Sequence, residues 1–107
     1  MASRKAKEVE PPLWQRARAW LDARELVHKT SLVEKHYQLV TRMARLEANV
    51  ALRRPERVAK AIADILILLT ASSEQLGLPL DACLDARLKE LRYRDGTIKS
   101  GRWEKIL

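Results

Sequence analysis

Pro55 divides two long stretches in which apolar residues return every third or fourth position, and no other feature limits the fold as tightly. A proline lacks a backbone N–H and pushes the residue before it out of helical geometry, so a helix ends just ahead of it. The missing N–H does no harm in a first helical turn, so a new helix can start on the proline itself. Before Pro55, the residues Val33, Tyr37, Val40, Met43 (or Ala44), Leu46 and Val50 mark one helical face. After it, Val58, Ile62, Ile65, Leu69 and Leu76 mark another, and Leu66 and Leu68 widen it, as in a helix buried on more than one side.

Two shorter helices complete the reading. Pro11 and Pro12 introduce a helix over about 13–27, with Leu13, Ala17 and Leu21 at helical spacing and Trp14 and Trp20 beside them. Ser31 and Glu34 form a capping-box pattern at the start of the second helix. Gly77 fits the left-handed position that closes the third. Asp81 is the expected cap of a fourth helix over about 81–93, with Leu84, Leu88 and Leu91 facing inward, and the turn Arg94-Asp95-Gly96 ends it. The expected organisation is a flexible segment over 1–12, an all-α four-helix bundle over 13–94 and a basic tail over 95–107. Short connections favour antiparallel neighbours, and a chain of 107 residues with four helices often completes its core against a second copy.

Composition narrows the class further. With 3 glycines, 4 prolines and no phenylalanine, the chain is neither collagen-like nor built as a β-sandwich. A single cysteine excludes a disulfide framework and suits a reducing compartment. The polar start has no apolar core of a signal peptide, and the apolar run 62–71 is interrupted by Asp64 and far short of a membrane span. A cytoplasmic protein without membrane contact is the expectation.

The net charge of +7 is unevenly distributed. Residues 41–61 carry +4, residues 62–86 carry −4 and residues 87–107 carry +4. Basic segments attract phosphates, and they also serve simply as solvated helix faces. His28 and His36 have no ligand partners at metal spacing. Cys83 reads as a small core residue. The three isolated glycines form no phosphate loop. Residues 73–87 have a faint helix-turn-helix outline, but Asp81 and Asp85 near the start of the second helix oppose an approach to DNA phosphates.

Three stretches resemble the short, stand-alone MazG-like nucleoside triphosphate pyrophosphohydrolases, including small versions carried by phages. They are the amphipathic helix after Ser31, the segment 61–69 with Glu74-Gln75-Leu76-Gly77-Leu78-Pro79-Leu80, and the tail 92–105 with its two spaced glycines and Trp103. The resemblance implies a bundle whose facing helices carry carboxylates that bind Mg²⁺ and cleave a nucleoside triphosphate to monophosphate and pyrophosphate. The family's adjacent glutamates fall here on Thr41 and Arg42, its third on Arg45, and the glutamate of its Glu-x-x-Asp on Ala61. Only Asp64 matches, as a vestige.

One aspartate is too few ligands for a dedicated Mg²⁺ site. The leading expectation is therefore a catalytically degenerate relative with no catalytic residues and no cofactor. Arg42 or Arg45 either closes the old site as an ion pair with Asp64, or replaces the metal's charge and holds phosphates. The resemblance also brings Arg92, Tyr93, Arg94, Lys99, Arg102, Trp103 and Lys105 toward the nucleotide, as basic groups interleaved with aromatics. The partner is then a nucleotide or other phosphate-rich ligand, or a host protein, as for a phage-encoded inhibitor. The alternatives are an active Mg²⁺-dependent enzyme with a rearranged site using Glu34, Glu47 or another subunit, and a non-specific nucleic-acid binder.

Overall fold

A computed structural model describes residues 10–92 in full and the backbone of 97–99 and 102–104. The chain is all-α, with four helices: α1 (Leu13–Ala23), α2 (Leu32–Ala51), α3 (Pro55–Gln75) and α4 (Leu80–Leu91). A short antiparallel ribbon follows, of β1 (Thr97–Lys99) and β2 (Arg102–Glu104), with Ile98 opposite Trp103 and Lys99 opposite Arg102. Sequence periodicity gave no sign of this ribbon. The expected turn 94–96 and the segment 1–9 lie outside the described residues.

The helix starts follow the sequence signals closely. The Ser31 hydroxyl accepts the Glu34 N–H at 3.0 Å, and Pro55 occupies the first turn of α3. At α4 the expectation is corrected: the N-cap is Pro79, and Asp81 lies inside the first turn, where it pairs with Arg18 at 3.3 Å. Three helices end in the same two-bond motif. The N–H of Leu26, Arg54 and Leu78 reaches back to the carbonyl of Leu21, Asn49 and Ser73, respectively, at 2.9–3.1 Å. The motif needs a left-handed residue, supplied by Glu25 (φ 55°), Arg53 (φ 54°) and Gly77 (φ 73°). Only the third is a glycine, and α1 stops at Ala23, short of the expected boundary near 27.

Helix α3 is central. It packs along α2 on one side through Ala61 and Ile65, and against α1 on another through Ala71 and the partly buried Ile67. Its last turns meet α4, which is bent away by 95°. Among the described residues the buried apolar set is small: Leu21, Val27, Ala61, Ile65 and Ala71. Two expectations are corrected here. Leu84 and Leu88 are exposed, and so is Cys83, because among the described residues α4 packs mainly on the end of α3. The apolar stripe of α2 is also uncovered. That helix turns Lys35, Leu39, Arg42, Leu46 and Asn49 toward α3 and leaves Val33, Tyr37, Val40, Met43 and Val50 about half exposed or more.

Candidate anion-binding groove

Arg42, Arg45 and Asn49 follow one another at spacings of three and four on α2, and so do Arg57, Lys60 and Asp64 on α3. Helical geometry puts each trio on one face. The two faces meet along one flank of the antiparallel pair, where they line a shallow hollow of about 150 Å³ floored by Ala61. The small Ala61 side chain lets the helices approach, so the long basic side chains rise around the hollow rather than into a packed seam.

Among the described residues, four cations and one carboxylate share this hollow. Arg42 donates from Nη1 to Asp64 Oδ2 at 3.2 Å, an ion pair with both side chains well exposed to water. Among the described residues, Arg45, Arg57 and Lys60 have no carboxylate within ion-pair distance. The Asn49 amide donates to the Arg45 carbonyl at 2.9 Å, which fixes the amide against its own helix. The uncompensated charge of the hollow is therefore positive, and two of its groups carry the planar fork that matches phosphate oxygens.

Arg42 and Asp64 also border a deeper hollow of about 230 Å³ between α1, α2 and α3. Its wall is apolar on the side of Leu21, Leu26, Ile67, Leu68 and Ala71 and polar at Gln38 and Thr30, with Trp20 at its edge. The Arg24 guanidinium lies 4.3 Å from that ring's centre and covers one part of it. The ion pair thus stands between a basic groove and an aromatic-edged pocket.

Lys35, also on the lining of this pocket, is 2 % exposed. Its ammonium donates to the Val27 carbonyl at 2.8 Å, the Thr30 carbonyl at 2.7 Å and the Gln75 side-chain oxygen. All three N–H groups are used, no described carboxylate lies within ion-pair distance, and burial lowers its pKa from the ordinary lysine value.

Of the residues singled out from sequence, Arg42, Arg45 and Asp64 come together, with Arg42 as the partner of Asp64. Arg57, Lys60 and Trp20 were missed. Arg57 and Lys60 lie seven and four residues before Asp64 in α3, and that spacing was the available signal. Arg92 is the exposed C-cap of α4. Lys99, Arg102 and Trp103 are described by backbone alone, and Tyr93, Arg94 and Lys105 lie outside the described residues. Glu47 is exposed on the side of α2 away from the groove, and Glu34 sits at the helix start. Among the described residues, no three histidine, cysteine, aspartate or glutamate side chains converge on a point that could hold a metal ion. Also among them, no single helix is long and apolar enough to cross a membrane. No protein-family model matches the chain, and neither does any curated protein or any solved structure.

Proposed function

We propose that the chain is a binding module for a nucleotide or a similar phosphate-bearing ligand, which it holds without hydrolysing. The observation that carries this reading is the basic hollow, where Arg45, Arg57 and Lys60 face one space and no described carboxylate neutralises them. Phosphate oxygens placed there would take charge-assisted hydrogen bonds from two guanidinium groups and an ammonium. The adjoining pocket edged by Trp20 offers an aromatic surface of the kind that accepts a base, beside the polar Gln38 and Thr30. The reading without hydrolysis is supported by the donor set. Attack by water on a triphosphate needs its charge offset and the water oriented, and among the described residues the only carboxylate in the groove is tied to Arg42.

Calorimetric titration with nucleoside triphosphates, with and without Mg²⁺, tests the reading, followed by chromatography of the same samples. Saturable binding without Mg²⁺ and without monophosphate is the expected outcome. Arg45→Glu and Arg57→Glu should each weaken it about tenfold to a hundredfold, since a hydrogen bond to a charged group contributes about 1.5–3 kcal/mol. Monophosphate that forms only with Mg²⁺ would overturn the proposal in favour of an active enzyme.

A further inference from the structure

The uncovered stripe of α2 has an internal symmetry that its apolar character alone does not require. Its positions are Val33, His36, Val40, Met43, Glu47 and Val50, which alternate by three and four residues as the seam of a coiled coil does. Reflected about the point midway between Val40 and Met43, Val33 exchanges with Val50, Val40 with Met43, and His36 with Glu47. A helix laid antiparallel on a copy of itself brings these positions face to face. The seam then consists of apolar layers and one polar layer that occurs twice, each time with an imidazole opposite a carboxylate. The flanks agree with this arrangement, since Tyr37 and Ala44 border the stripe on one side and Leu39 and Leu46 on the other.

Exposure shows that the face lacks a partner among the described residues. Val33, Tyr37, Val40, Met43 and Val50 are 62, 62, 55, 49 and 55 % exposed. Ile62 of α3 extends the surface at 46 % and lines one shallow hollow with Val50 and Val58. From Val33 to Val50 the stripe runs about 26 Å at 1.5 Å per residue. With α3 beside it the surface is two helices wide. Apart from Glu47, no lysine, arginine, aspartate or glutamate occupies the stripe.

We infer that α2 is a self-association face, pairing antiparallel with α2 of a second copy about a twofold axis between Val40 and Met43. Such an interface is isologous: position 40 of each copy meets position 43 of the other. The two hairpins of α2 and α3 then form one four-helix layer. The basic grooves lie away from the contact, so this inference stands independently of the proposed ligand.

Light scattering on the eluting protein over a concentration series tests the inference. The wild type should show twice the chain mass of 12.3 kDa. Val40→Glu and Met43→Lys should each halve the observed mass while far-ultraviolet dichroism stays helical. The double variant Val40→Glu/Met43→Lys should restore the dimer, because each new glutamate faces a new lysine of the partner. Restoration also answers the case in which a single variant unfolds as it dissociates. A wild type at the mass of one chain throughout would overturn the inference and leave the face to a different occupant. A dimer that survives Val40→Glu, or a double variant no better than the singles, would overturn the face or its register. Nucleotide titration of the same variants separates the two proposals, since a monomer that still binds affects only this one.

Discussion

Lys35 shows how a single residue can hold the elements of this chain in place. It lies in the first turn of α2, where the helix dipole disfavours a cation. What offsets that placement is a set of oxygens from outside the helix: two carbonyls of the 24–31 connection and the side chain of Gln75 at the end of α3. One ammonium thus ties the α1–α2 connection to both long helices. Lys35→Met keeps the apolar stem but strands the Val27 carbonyl and the Gln75 oxygen. The Thr30 carbonyl retains the Gln75 amide at 3.1 Å. A buried acceptor without a partner costs about 1–3 kcal/mol, so the urea midpoint of Lys35→Met should fall by a corresponding amount. The pH dependence carries a second signature. Because the folded pKa is lowered, the unfolded chain binds this proton more tightly, and stability rises with pH as the pH approaches 10.5 from below. The variant should lack that rise. Nothing in the residue order marks Lys35 as buried, since a lysine is the last residue expected to line an interior.

At the scale of elements, the helices were legible because their boundaries are chemical. Pro55, Ser31 and Gly77 each do what their backbone or hydroxyl dictates. The ends at Ala23 and Ala51 were less legible, because their left-handed residues are Glu25 and Arg53, which carry no sequence mark of a turn. That difference is testable. A left-handed residue with a Cβ costs about 1–2 kcal/mol, while glycine adds entropy to the unfolded chain. Arg53→Gly should therefore stabilise the protein by about 0.5–1 kcal/mol in chemical denaturation. The orientation of α2 was misread for a different reason. The helix carries two stripes, Lys35-Leu39-Arg42-Leu46-Asn49 and Val33-Tyr37-Val40-Met43-Val50, and the second is the more apolar. Hydrophobicity alone assigns the second stripe to the interior. The single chain instead buries the first, whose polar members serve the groove and the Lys35 cluster. The same choice explains the partial legibility of the site. Arg42, Arg45 and Asp64 stood out against a resemblance, while Arg57 and Lys60 required knowing which face of α3 meets α2.

Among the described residues of the molecule, burial is thin. Two of the five buried apolar residues there are alanines, and sixteen large hydrophobic side chains are more than a third exposed. The Cα radius of gyration is 17.3 Å, against about 13 Å for a compact chain of this size. At about 25 cal/mol per Å² of apolar surface removed from water, covering the α2 face with a second copy adds stability on the scale that a small domain needs in total. Stability should then depend on concentration by mass action, because the assembled form binds a partner that the unfolded chain does not. Thermal unfolding followed over a hundredfold range of protein concentration should show a midpoint that climbs with concentration for the wild type and stays flat for Val40→Glu. A flat wild-type midpoint would mean that the small core suffices alone. This readout differs from the mass measurement because it asks whether the face contributes to folding as well as to assembly. If it does, pairing raises the folded population and with it the basic groove, although α2 and α3 already pack on each other within one chain through Ala61 and Ile65.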